Sequence, residues 1–281
     1  MKIRKIPIIR RELESIVINL MALVAIIFFI FPILWQLLSS LKPAAEVTAN
    51  PPIWFFTPTL ENWYNLIFEK EGFHYLLNSI IVASGTTGLS IALGSLAALG
   101  LSRFKFKGRD SLALDILSFK MFPPIVLAIP LFIIFQAWGL KNSYIGLILA
   151  HTTFNLPFTI WLLRGFFMGI PNELEEASLV DGCTRFGFFW RILLPLSGPG
   201  VMVSAVFCFI LSWNEFMLAS VVSSQETRTL PVFSAGLLER YVADWGLFAA
   251  ACILTVAPML VIAIVSQKYL IKGLTYGAIK G

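Results

Sequence analysis

The residues of this chain that could do chemistry are few and scattered. Cys183, Cys208 and Cys252 stand far apart, and His74 and His151 are the only histidines. A disulfide framework or a zinc site needs closely spaced cysteines or a histidine–carboxylate cluster, and this spacing offers neither. The chain contains no Gly-x-x-x-x-Gly-Lys-Ser/Thr stretch and no Gly-Lys pair, so it has no P-loop to cradle nucleotide phosphates. If ATP is used, a partner must bind it. An integral membrane enzyme would need a nucleophile–base set or a metal cluster, and neither is visible. No catalytic residue, metal site or cofactor is therefore assigned to this chain.

One dense charged stretch remains, PNELEEASLVDGCTRFGFFWRILLP at 171–195, set between two very apolar regions. Asn172, with Glu175 three positions on, has the spacing of a capping box. Glu173, Glu175 and Glu176 fall in the first turn, where the helix dipole favours negative charge. The spacing predicts a helix to about Val180, a stop at Asp181-Gly182, and a second amphipathic piece ending at Pro195. A helix lying on anionic lipid would present a basic face. This one is acidic, so the segment reads as a docking element for a cytoplasmic protein.

The elements that position this segment follow from hydropathy. Hydrophobic residues make up 58% of the 281 residues and charged residues 13%, too little polar surface for a soluble domain of this size. Six apolar runs, at roughly 15–38, 76–101, 113–136, 145–166, 199–221 and 247–270, are long enough to cross a bilayer. Backbone groups in lipid must be satisfied internally, so the runs are predicted to be helices. No ten-residue alternation recurs that would suggest a barrel. The chain is expected to be all-α and polytopic, one transmembrane domain over residues 1–281. The first run is longer than a signal-peptide core and lacks a small-x-small cleavage site, so it reads as a retained helix.

Lysines and arginines set the orientation. Fifteen lie on the side of the N-terminus, the second loop (Arg103, Lys105, Lys107, Arg109), the charged segment (Arg164, Arg185, Arg191) and the tail. Five lie on the other side, at Lys42, Lys70, Lys141, Arg228 and Arg240. The first side, with both termini, is expected to be cytoplasmic. The net charge of +5 reflects this bias and calls for no nucleic-acid partner. Several polar residues fall within or beside spans: Asp115, Lys120, His151, Asn155, Asn214 and Glu215. Polar groups there point to function or to a partner on a neighbouring helix. Asn155, Asn214 and Glu215 are candidate path residues, with bonding of Glu215 to a neighbouring helix the competing reading. Lys120 is expected to snorkel, and His151 to be a satisfied packing residue. Pro123, Pro124, Pro130, Pro157 and Pro258 mark places where spans can kink.

The charged segment also carries a longer pattern: Glu176-Ala177-Ser178, three residues, Gly182, nine residues, then Ile192-Leu193-Leu194-Pro195. It resembles the Glu-Ala-Ala motif of the membrane subunits of binding-protein-dependent ABC importers, with Ser178 in place of the second alanine. The stretches PPIWFFTPTLENWYNLI, SRFKFKG, MFPPIVLAIPLF, NLPFTIWLLRGFF, WNEF and GLTYGAIKG are similar to the carbohydrate branch of that family, in particular the second permease subunit of maltose-type systems.

The resemblance implies a type I importer core of six helices and a carbohydrate substrate: an oligosaccharide, disaccharide or polyol-type solute. It implies a second permease subunit in a heterodimer, two cytoplasmic ATPase subunits carrying ATP and Mg, and an extracytoplasmic solute-binding protein. It makes Glu175, Glu176, Ala177, Ser178, Asp181 and Gly182 the ATPase-coupling residues. Ile192, Leu194 and Pro195 would anchor the second piece against the bundle. The tail would run between the ATPase subunits. The loop at 222–246 would reach toward the binding protein, with Thr229, Leu230, Pro231 and Val232 at its tip. A self-contained secondary transporter, or an importer permease for a non-sugar solute, is the alternative. The first of these would give the charged segment no role, and no internal repeat supports it.

Overall fold

The computed structural model describes the backbone of residues 8–240 and 244–278 and the side chains of 14–238 and 244–267. Lys2, Arg4, Lys5 and Lys280, the side chains of Arg10, Arg11, Arg240, Lys268 and Lys272, and the last residues of the tail lie outside what is described. The described residues are helical and contain no strand. The principal helices are α1 (Ile8–Ser40), α2 (Gly72–Arg103), α3 (Arg109–Ser118), α4 (Pro124–Ala137), α5 (Tyr144–Met168), α6 (Glu173–Val180), α7 (Arg185–Phe188), α8 (Gly198–Trp213), α9 (Met217–Val222), α10 (Leu230–Arg240) and α11 (Trp245–Ala278).

Among the described residues, four helices are long and apolar enough to cross a membrane: Glu14–Ser40 within α1, α2, α5, and Trp245–Gln267 within α11. Two bent pairs bring the number to six if each is one span. They are Arg109–Met121 with Pro124–Ala137, bent by 90°, and Arg185–Leu196 with Gly198–Trp213, bent by 77°.

Two predicted spans are thus not single helices. The run at 113–136 breaks at Phe122 and Pro123, both extended at ψ 132°. Each precedes a proline, whose ring excludes the helical conformation from the residue before it. Pro124 then starts α4 in the first turn, where a missing N–H costs nothing. The run at 199–221 breaks after Trp213 and resumes as the six-residue α9. By contrast Pro130, Pro157 and Pro258 sit inside continuous helices.

The chain divides into two compact units, residues 1–70 with 237–254 and residues 71–236 with 255–281. In the first, the most apolar window of α1 buries nothing within the chain, and Phe28 and Phe29 are more than 70% exposed. Such a helix is stable only in apolar surroundings, lipid or another subunit. Its end is tied down by Asn62, whose Nδ2 donates to the carbonyls of Ser40 (3.0 Å) and Lys42 (2.8 Å). The Lys42 ammonium lies over the Trp35 and Phe56 rings, at 4.9 and 5.2 Å.

In the second unit the most extensive packing is between α2 and α5, with α8 against both. Small residues let these helices approach, as membrane packing requires. A Cβ on Gly94 of α2 would come within 2.9 Å of the Thr159 methyl on α5, and one on Gly200 would enter the Phe166 ring. At 32 residues, α2 is roughly 48 Å long at 1.5 Å per residue. It outruns a hydrocarbon core of about 30 Å, so its Arg103 end reaches the polar zone beside the charged segment.

Candidate functional site

The charged segment folds as two short helices joined by a glycine turn. Gly182 has φ +84°, a left-handed conformation that glycine adopts without a Cβ clash. Its N–H donates to the Leu179 carbonyl (3.1 Å), and the Cys183 N–H donates to that of Ser178 (2.9 Å). This is the paired-bond Schellman stop. Thr184 caps the next piece, its Oγ1 accepting from the Gly187 N–H at 3.0 Å. That piece runs on through Leu196, and Phe188, Phe189 and Leu193 are fully buried against Ala98, Leu163 and Phe167. The apolar half is anchored in the bundle, and the acidic half projects from it. Glu173, Glu176 and Ala177 are exposed, as is Val180 at 87%.

The geometry corrects three expectations here. Asn172 does not cap α6; it is already helical (φ −70°, ψ −24°), with no cap hydrogen bond. Its Oδ1 instead accepts from Arg103 at 2.5 Å, while Glu175 lies 3.9 Å from the Arg103 Nε. A buried guanidinium outcompetes a neutral backbone N–H for these oxygens. Ser178 is buried, with its hydroxyl on the Glu175 carbonyl (2.7 Å), so its small size serves packing within the chain. Pro195 is exposed; Leu193 is the anchor, with Ile192 and Leu194 partly buried beside it. Asp181 is exposed at the turn, as its place beside Gly182 implies.

At the other end of the bundle, Thr229 and Leu230 are not a tip. Both are buried, the Leu230 N–H donates to Ser79 Oγ (2.7 Å), and Pro231 and Val232 are partly buried. The chain must turn inward here to begin α10. Between α9 and α10 the exposed residues are Gln225 and Glu226. They are held in place from below. Asn78 Nδ2 donates to the carbonyls of Glu226 and Arg228, both at 2.9 Å. Asn142 Oδ1 accepts from Thr227 Oγ1 at 2.8 Å and from the Ser224 N–H at 3.1 Å.

The path candidates separate. Asn214 and Glu215 lie in the break between α8 and α9, not on a helix. Asn214 is exposed, and its Nδ2 donates back to the Ile210 carbonyl (2.9 Å). Glu215 caps α9: its two oxygens accept from the Leu218 and Ala219 N–H groups, each at 2.9 Å. One of those oxygens lies 3.3 Å from His151 Nε2 on α5, and His151 Nδ1 is 2.8 Å from Ser212 Oγ. His151 is fully buried. Asn155, one turn along from His151, is 3% exposed and closed to a solute in this conformation. Lys120 does not snorkel; its Nζ donates to the Phe154 carbonyl at 3.4 Å.

Sequence reasoning missed Arg103 and Arg164, which it counted only as positive-inside charges. The signal was present in WLLRGFF, where an arginine interrupts the end of an apolar span.

Apolar helices long enough to cross a bilayer, with a charged helix–turn–helix between α5 and α8, describe a multi-pass membrane protein. The family model described as binding-protein-dependent transport system inner membrane component matches residues 90–276, and the chain belongs to that family. It is 37% identical over 254 residues to the sulfoquinovosyl glycerol transport system permease protein of Agrobacterium fabrum, covering 90% of this chain and 89% of the relative. It is 34% identical to the trehalose/maltose transport system permease of Thermococcus litoralis, over 96% of this chain and 98% of that one. The diacetylchitobiose uptake system permease DasC of Streptomyces coelicolor is 35% identical, over 94% and 96%. The fold matches a chain of a bacterial ABC transporter that imports alginate, with TM-score 0.73, 20% identity, and 96% and 99% of the two chains covered.

Proposed function

We propose that this chain is one permease subunit of an ATP-driven importer for a carbohydrate, a single permease domain over residues 1–281. It pairs with a second permease subunit, and two cytoplasmic ATPase subunits hold the ATP and Mg. An extracytoplasmic binding protein delivers an oligosaccharide, disaccharide or polyol-type solute. Both termini are cytoplasmic. One observation carries the reading: relatives more than 30% identical along nearly the whole chain are named as permeases for sulfoquinovosyl glycerol, trehalose/maltose and diacetylchitobiose, all glycosides.

The coupling residues in this reading are Glu176, Ala177 and Val180 on the exposed face of α6. Glu175, Asp181 and Gly182 set its position and its angle to α7. The charge faces a soluble protein, and the Schellman stop makes the element stiff enough to transmit force. Asn214, exposed at the break before α9, is the path candidate that remains open. The test is uptake by the assembled complex across a panel of disaccharides, oligosaccharides, polyols, amino acids and peptides. Uptake confined to a glycoside or polyol supports the reading. Uptake of a non-sugar solute alone would replace it with the other importer reading. Uptake by this chain without ATPase subunits would make it a secondary transporter.

A further inference from the structure

Two arginines at the cytoplasmic ends of the spans cap each other's helices. Arg103, the last residue of α2, donates through one terminal nitrogen to the carbonyls of Phe167 (2.8 Å) and Ile170 (3.0 Å), at the open end of α5. Arg164, on α5, donates from Nε to the Leu101 carbonyl at the end of α2 (3.1 Å), and its terminal nitrogen binds Asp110 on α3. The last carbonyls of a helix lack donors of their own. A guanidinium, with five N–H groups in a rigid fork, can serve several at once, which an ammonium cannot.

Arg103 does more than close a helix end. Its other terminal nitrogen donates to Asn172 Oδ1, Glu175 lies 3.9 Å from its Nε, and its guanidinium is 5.8 Å from the Phe188 ring. Its side chain is only 3% exposed. On the following residue, the Phe104 ring lies 5.2 Å from the Arg185 guanidinium. The end of α2 therefore touches both halves of the charged segment.

We infer that Arg103 is the positioning residue that joins the segment to the spans, so that displacement of α6 moves α2 and α5 together. Without it, residues 169–172 would form a hinge, and α6 could swing without moving the bundle. This rests on the docking role proposed above for α6.

The test separates the two roles of Arg103. Asn172→Ala with Glu175→Gln removes only its contacts to α6 and leaves the carbonyl caps in place. Spin labels at Leu96→Cys on α2 and Val180→Cys on α6, both exposed, report the distance between them in nanodiscs, with Cys183 and Cys252 replaced by serine. Native sequence should give one narrow distribution, and the double variant a broad one. In the complex the double variant should assemble in normal amount, and its binding-protein-stimulated ATPase activity should fall several-fold toward the basal level. Arg103→Lys, which keeps charge but not the fork, should also broaden the distribution, and it loses part of the carbonyl cap as well. An unchanged distribution would overturn the inference. A broadened distribution with full stimulation would also overturn it, leaving Arg103 a helix cap alone. The distance measurement needs no ATPase, so failure of the native complex to retain ATPase subunits would count against the docking role and not against the clasp.

Discussion

Replacing Glu215 with glutamine keeps shape and removes one acceptor. In the native chain both carboxylate oxygens accept backbone N–H groups of α9 at 2.9 Å, and one faces His151 at 3.3 Å. A glutamine has one acceptor oxygen, so one of the two N–H groups loses its partner or meets another donor. A hydrogen bond to a charged group contributes about 1.5–3 kcal/mol, and leaving a buried donor unpaired costs a similar amount. Removing the charge also takes away the carboxylate that faces His151 Nε2. A loss of about 2–3 kcal/mol is the expectation. In a chain near the usual margin of stability this is a large fraction of the total. The amount of assembled complex in the membrane, and the temperature at which purified complex loses its native signal, should both fall. Transport per assembled complex should stay near native, because Glu215 acts on α9 and not on the solute. Native amount and melting with altered transport would refute this and make Glu215 a path residue.

Other expectations follow from single positions. Gly182→Val forces a β-branched residue to φ +84°, at about 1–2 kcal/mol. It should uncouple ATPase from transport, measured as hydrolysis per solute moved. Leu193→Ala empties a fully buried site in the anchor of α7, at about 2–5 kcal/mol if the site cannot collapse; reduced melting temperature would register it. For topology, a cysteine at Lys107 should be labelled from the cytoplasm and one at Phe55, 98% exposed, from outside. Labelling of Phe55→Cys only from the cytoplasm would reverse the orientation.

What the sequence made legible was what composition and local spacing determine. Apolar length located the spans, and Asp181-Gly182 located the stop of α6, since both depend on residues near in sequence. Pro123-Pro124 carried the break in the third span, but Pro32, Pro130, Pro157 and Pro258, all tolerated inside helices, show that proline alone does not say which span will part. Pro157 stays helical in mid-α5, while Pro123 breaks because a second proline follows it. The break before α9 has no proline at all; it stands because Glu215 finds two N–H groups and a histidine 64 positions away in sequence. A comparable separation in sequence, with Arg103 69 positions before Asn172, hid the partners of Asn172 and Glu175. Their spacing fitted a capping box, and Arg103, on another helix, took the oxygens instead. Burial of Thr229 and exposure of Pro195 likewise depend on which helix lies alongside.

The central claim is that the acidic face of α6 docks an ATPase subunit. Glu176 is exposed on that face. Glu176→Lys reverses the charge at the proposed contact, where desolvated pairs contribute a few kcal/mol. The decisive measurement is the stoichiometry of ATPase subunits recovered with tagged chain from membranes, native against Glu176→Lys, at equal amounts of inserted chain. Retention by the native chain is expected, with loss, or retention with uncoupled hydrolysis, in the variant. Full recovery with native transport in Glu176→Lys would contradict it.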